Sequence, residues 1–142
     1  MEDSPEDYVL EEQVGHLLRR AYQRHLALFQ GIMGEDGPTS MQFAALHTLW
    51  RRGPLSQNLL GRHTAMDAAT IKGVIDRLTK RGLTETSPDP EDGRRLLVSL
   101  TRAGQQMAEK AAPNALAITR ETLAPLDAKE RETLVALLGK LR

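Results

Sequence analysis

Three groups of side chains in this chain have the types and spacing to do chemistry, and in each the chemistry is binding. The first is Asp89-Pro-Glu-Asp92-Gly-Arg94-Arg95, a turn-forming run with two adjacent arginines that gives way to the apolar strand Leu96–Leu100. Guanidinium groups at the tip of a ribbon are suited to phosphate oxygens. The second is Ala68-Ala69-Thr70-Ile-Lys72, the start of a segment in which Ile71, Val74, Ile75 and Leu78 recur at helical spacing. Small side chains let such a helix sink into a DNA major groove, where an alanine or threonine methyl meets a thymine methyl. Lys72 can donate to guanine O6 and N7 or to a phosphate. Ser56 and Gln57, opening a short helix just upstream, add a hydroxyl, an amide and helix-terminal N–H groups as phosphate donors.

The third group lies on the first long helix, where His16, Arg20 and His25 offer imidazole and guanidinium donors. A small aromatic carboxylate needs such a donor for its acid and apolar or aromatic walls for its ring, and Phe43, Leu46, His47 and Trp50 on the next helix can supply them. Catalytic chemistry is poorly served. There is no cysteine, no phosphate-cradling glycine loop and no Ser-His-Asp set on strand ends. His16 and His25 stand nine residues apart, a poor metal spacing on one helix, so neither a metal nor a cofactor is expected.

Net charge is zero over 142 residues, which conceals a division. Six of the 19 acids (Glu2, Asp3, Glu6, Asp7, Glu11, Glu12) fall within residues 1–13, where there is no Lys or Arg. The remaining 13 acids face 19 bases, so an acidic tail precedes a basic body. No apolar run approaches the roughly 18–20 residues that span a bilayer, and the acidic start is the opposite of a signal peptide. A cytoplasmic protein with no membrane partner is the expectation.

The elements that must position these groups read as follows. Apolar residues from Leu10 to Ile32 predict one long helix. Thr39 with Gln42 forms a capping box that opens a second helix running to Gly53-Pro54. Ser56 caps a short helix, Gln57–Arg62, in which Gly61 permits close approach to a neighbour. Asp67 caps the helix bearing Lys72, and Gly82 stops it. Asp76 and Arg77 are expected to pair or to touch backbone. Leu83–Ser87 and Leu96–Leu100 are two strands, Thr101 caps a helix interrupted or bent at Pro113, and Pro125 ends it. Asp127 with Glu130 opens a last helix whose apolar side is Leu134, Val135, Leu137, Leu138 and Leu141. The expected fold is mainly α with a small two- to three-stranded β-wing. A winged helix-turn-helix over residues 39–100 is flanked by an acidic tail and long helix (1–38) and by C-terminal helices (101–142). The flanking stripes carry more apolar surface than so small a centre can cover, which predicts a homodimer and hence a pseudo-palindromic double-stranded operator.

With these elements in place, the chain resembles the multiple antibiotic resistance regulator (MarR) family of bacterial transcription factors. The likeness rests on Asp92-Gly-Arg94 followed by Leu97-Val98-Ser-Leu100-Thr101-Arg-Ala-Gly104, on Leu55-Ser56-Gln57, on Thr70-Ile71-Lys-Gly-Val74-Ile-Asp76-Arg77-Leu78 and on Gly82-Leu83. It covers roughly residues 8–142. It implies an obligate dimer with interlocked terminal helices, in which Asp92 holds the wing turn, Arg94 enters the minor groove and Arg95 meets a neighbouring phosphate. Members usually repress a nearby operon and let go when a small, often aromatic, anion binds. The segments from Gly15 to His25 and from Thr64 to Gly73 are similar to members controlling degradation of aromatic compounds. Gly73 departs from the common longer polar residue, which shifts base contact onto Lys72 and Thr70. Two other readings compete: a DNA-binding winged helix with no ligand, and a winged-helix module that binds protein. The latter has no need of Arg94 and Arg95 at its wing tip.

Overall fold

Side-chain hydrogen bonds explain where every α-helix but the first long one begins. In the computed structural model, which describes residues 4–142, α1 (Val14–Met33), α2 (Ser40–Arg52), α3 (Gln57–His63) and α4 (Ala68–Lys80) precede an antiparallel ribbon, β1 (Thr84–Pro88) and β2 (Leu96–Leu100). Then come α5 (Arg102–Thr122) and α6 (Ala128–Lys140). The side chains of Thr39, Ser56, Asp67, Thr101 and Asp127 each accept a backbone N–H three residues on, with reciprocal boxes at Thr39/Gln42 and Asp127/Glu130. Every one of these caps falls at its expected residue. Each satisfies a donor that the first helical turn leaves orphaned.

Several boundaries differ from expectation. The long helix starts at Val14, not Leu10, because Gln13 is extended (φ −81°, ψ 139°) and Leu10–Glu12 is a separate 3-10 turn. Within the acidic tail, Ser4 and Asp7 close a small capping box around Pro5–Asp7, while Glu2 and Asp3 lie outside the described residues. The first strand begins at Thr84 because Leu83 belongs to the stop of α4. Gly82, at φ +75°, donates to the Thr79 carbonyl and Leu83 to that of Leu78, which turns Leu83 into the core. Helix α5 runs through Pro113 without interruption. Pro113 is on the exposed side, where the Glu109 carbonyl it frees can turn to water.

The core lies where α2, α3, α4, the ribbon and the first half of α5 meet. Leu46, Leu60, Ile71 and Leu78 are fully buried there, joined by Leu49, Val74, Ile75, Leu83, Val98 and Ala108. Full burial of one such side chain stabilises the fold by about 1.5–3 kcal/mol. Gly61 is buried against α4. A Cβ there would sit 3.0 Å from the Met66 carbonyl oxygen and 3.2 Å from Ile71 Cγ2, so the close helix approach depends on its absence. β1 and β2 pair from Thr84↔Leu100 to Pro88↔Leu96, and Leu55 adds a single bridge to Val98 in place of a third strand.

The outer helices are covered unevenly. α1 packs along α5. Arg24 donates to the Thr122 and Glu121 carbonyls at 2.6 and 2.9 Å, closing the C-terminal end of α5. On α1, however, Val14, Leu17, Leu18 and Tyr22 stay exposed, and α6 has no buried residue among the described residues. None of the described helices is long and apolar enough to cross a membrane.

Candidate nucleic-acid interface and effector site

Helix α4 carries its apolar residues inward, which decides what faces out. With Ile71, Val74, Ile75 and Leu78 buried, the exposed side presents Ala68, Ala69, Lys72 and Asp76, with Thr70 half-buried at its edge. The start of this helix is held by Asp67, whose carboxylate accepts the Thr70 N–H at 2.8 Å. Hydrogen bonds from the Thr70 backbone and side chain hold the Asp67 carboxyl below the usual carboxylate range.

Lys72 donates to Asp76 at 3.0 Å, the one ion pair among the described residues. This corrects the expected pairing of Asp76 with Arg77, since adjacent residues on a helix point about 100° apart whereas i and i+4 share a face. Arg77 turns elsewhere. Its guanidinium lies over Gly73 and lines a cavity of about 360 Å³ with Tyr22, Leu26, Thr39, Gln42 and Val74. Arg77 is therefore not brought into the row of Ala68, Ala69 and Lys72.

At α3, Ser56 is buried and its hydroxyl accepts the Leu59 N–H. Gln57, half-buried between α4 and the ribbon, and the exposed Asn58 are the other polar side chains of this turn. The wing tip is built by short-range hydrogen bonds. Asp92 Oδ1 accepts the Arg94 N–H at 3.2 Å, the Asp92 carbonyl accepts that of Arg95 at 2.9 Å, and Asp89 closes on the Arg95 carbonyl at 2.8 Å. Asp89 also accepts the Glu91 N–H, so two of the three acids at the tip are engaged with backbone. Arg94 and Arg95 are exposed and pair with none of them.

The six effector candidates divide. His25, Phe43, His47 and Trp50 fall on one continuous aromatic row with Tyr22 and Phe29, its successive ring centroids 5.5–6.3 Å apart. Within it, His25 Nδ1 shares a 2.9 Å hydrogen bond with Thr122 and Trp50 donates to Glu109 at 3.3 Å. His47 Nδ1 is buried without a partner among the described residues. His16 is half-buried and Arg20 exposed, and neither joins the row. Other cavities leave these six side chains out. One, also about 360 Å³, runs between Met33, Asp36–Pro38, Leu83 and the Met107–Lys110 turn of α5.

Sequence reasoning missed one contact set outright. Arg81, in the basic turn after α4, reaches back across the molecule. Its Nη1 donates to the Gln42 side chain at 2.9 Å and to the Gly37 carbonyl at 3.3 Å, and its Nη2 to the Asp36 carbonyl at 2.8 Å. The basic character of the turn was visible, but its partners are some 40 residues away and carry no local signal.

Comparison with known proteins bears on this geometry. Residues 39–96 match the profile described as the MarR family. The chain is 44% identical to the HTH-type transcriptional repressor NicR of Pseudomonas putida, over 94% of this chain and 85% of that protein. A probable transcriptional regulator from Pseudomonas aeruginosa superposes with TM-score 0.91 at 54% identity, covering 94% of this chain and all of that one. BpsR of Bordetella bronchiseptica, whose DNA binding is regulated by 6-hydroxynicotinic acid, superposes with TM-score 0.89 at 45% identity, covering 94% and 96%.

Proposed function

The chain belongs to the MarR family of transcriptional regulators, and on that footing we propose that it is a cytoplasmic, homodimeric repressor whose grip on a pseudo-palindromic operator weakens when a small aromatic acid binds. The observation that carries the DNA-binding part is a shared exposure. The outward row of α4 and the arginines of the wing tip are both uncovered, the one suited to base edges and the other to the adjacent backbone or minor groove. In this reading Ala68, Ala69, Thr70 and Lys72 read bases, Arg94 enters the minor groove, and Arg95 and Gln57 contact phosphates. Asp92 holds the wing in shape. Ser56 and Arg77 contribute through the backbone and through support of the helix.

Dimerisation is supported by the apolar side chains that one chain leaves in water: Val14, Leu17 and Leu18 on α1, Val135, Leu137 and Leu138 on α6, and Leu141 at its C-cap. Burying two such faces against their symmetry mates sets the two recognition helices at a fixed separation, as half-sites one turn apart require.

For the effector, the aromatic row of His25, Phe43, His47 and Trp50, together with His16 and Arg20 at the outer part of α1, supports an aromatic acid as ligand. So does the regulation of BpsR by 6-hydroxynicotinic acid. A ligand that favours the DNA-incompetent form tenfold weakens operator affinity by about 1.4 kcal/mol per site. One observation favours a ligand-independent repressor instead: His25 and Trp50 already have partners, and none of the six candidates lines either cavity of about 360 Å³.

The test is a titration of a selected operator with and without 6-hydroxynicotinic acid and related aromatic acids, alongside calorimetry of the free protein. Saturable binding that lowers operator affinity, lost in Arg20→Ala or His25→Ala, is expected. Binding without any change in operator affinity would leave the ligand-independent reading standing. Sedimentation equilibrium at micromolar concentration should give twice the chain mass.

A further inference from the structure

We infer that Arg81 is a positioning residue for operator recognition: its guanidinium sets the angle of α4 relative to α1, and through α1 the separation of the two recognition helices in the dimer. The inference rests on the dimeric operator-binding reading above and assigns the device that fixes its geometry.

Between α1 and α4 there is no close packing to do this. The two helices face one another across the cavity of about 360 Å³, with Tyr22 and Leu26 on one wall and Val74 and Arg77 on the other. α4 itself rests on α2, α3 and β1. What spans from the end of α4 to the end of α1 is the side chain of Arg81. It donates to the carbonyls of Asp36 and Gly37 in the loop that follows α1, and to Gln42 in the first turn of α2.

Both ends of the strut are stiff. At one end, Arg81 is the cap residue of α4, its N–H bonded to the Arg77 carbonyl, and is followed by the Gly82–Leu83 stop. At the other, Gln42 is buried, and its side-chain oxygen also accepts the Thr39 N–H at 3.2 Å as half of the α2 capping box. Gly37 packs closely on the Met33 carbonyl at the end of α1, with no space for a Cβ between them. Arg81 stands at the opposite end of α4 from Ala68, Ala69 and Lys72, so its three acceptors are all protein groups and none is a nucleic-acid contact. A planar fork with several donors can hold three acceptors in fixed relation, and an ammonium cannot.

The experiment measures affinity for a set of duplexes that keep the half-sites of a selected operator and change only their spacing, by one or two base pairs in each direction. The wild-type protein should prefer one spacing sharply. Arg81→Ala should lose roughly tenfold at that spacing, the weight of one charge-assisted hydrogen bond, and little or nothing at the others, so the profile flattens. Arg81→Lys should fall between, with circular dichroism and melting temperature near wild type. Should Arg81→Ala not fold, Arg81→Lys carries the same comparison. An equal loss at every spacing would make Arg81 a stabilising contact only and overturn the inference, as would an unchanged profile. A wild-type profile already flat would sink the dimeric reading and this inference with it, and that result appears in the wild-type arm alone.

Discussion

Lys72 Nζ lies 3.0 Å from Asp76 Oδ2 on the outward face of α4, so the cation proposed to read DNA is already paired when DNA is absent. Both side chains are about two-thirds exposed, and an exposed i, i+4 pair contributes only about 0.3–0.5 kcal/mol. A guanine or phosphate can therefore displace Asp76 at little cost. Asp76→Asn should leave the melting temperature nearly unchanged and tighten binding to all duplexes, non-operator DNA most conspicuously. Lys72→Ala should cost about 1–3 kcal/mol on the operator and blur discrimination among operator variants. A loss in Lys72→Ala that is equal across sequences would mark a phosphate contact instead. Anisotropy titrations at matched salt measure both.

Arg94 points out of a turn held by Asp92, and nothing among the described residues pairs with it. Arg94→Ala should weaken operator binding by about 1–3 kcal/mol. Because the wing tip buries little, folding stability should move by less than about 0.5 kcal/mol. Asp92→Ala should also weaken binding with Arg94 still present, since the turn that aims it loses its side-chain acceptor. Unchanged affinity of Arg94→Ala in a gel-shift titration would remove the wing from DNA binding.

The start of α4 should be acid-sensitive. The folded chain holds the Asp67 carboxyl below its ordinary value through hydrogen bonds from Thr70. The cap's contribution is therefore fully present above the unfolded carboxylate value and is lost as pH falls through the lower folded one. A carbon-detected NMR titration should show the Asp67 carboxyl titrating below the ordinary aspartate value, with the Thr70 amide shifting alongside. Asp67→Asn, which still caps, should abolish that titration and keep the helix.

Gly104 is required for the joint between α5 and the wing. A Cβ there would overlap the Leu83 carbonyl oxygen and crowd Leu100 Cδ2 at 3.2 Å. Gly104→Ala should destabilise the fold by about 1–3 kcal/mol through backbone displacement. Chemical denaturation measures the loss, and Gly139→Ala, where nothing lies within 4 Å, serves as the control.

What could be read from the sequence was whatever a few neighbouring residues determine. The caps at Thr39, Ser56, Asp67, Thr101 and Asp127 and the buried stripe of α4 all depend on residues within one or two turns. So does the wing, because Asp92-Gly-Arg94 makes its own turn. Contacts made across the fold left no such trace. Leu10 continues the apolar period of α1 yet lies beyond a break at Gln13, and Leu83 belongs to a helix stop although its neighbours pair as strand. Phe29 joins the rings of α1 to those of α2 in the aromatic row, a contact without local signal, since the crossing of α1 and α2 decides which rings meet. The Lys72–Asp76 pair does have a local signal, because i and i+4 share a helix face and the immediate neighbour Arg77 does not.

The root of the wing has a consequence for how such a molecule can change. Thr101 donates its N–H to the Leu83 carbonyl at 3.1 Å and its hydroxyl to the Gly82 carbonyl at 2.6 Å, so the ribbon leaves the helices and returns to them at a single tied point. Residues inserted between Pro88 and Leu96 would lengthen a loop whose ends are already pinned, and lengthening such a loop costs only about 0.6 kcal/mol per doubling. The reach of the wing into DNA is thus a quantity mutation can adjust separately, while α4 and α5 keep their places.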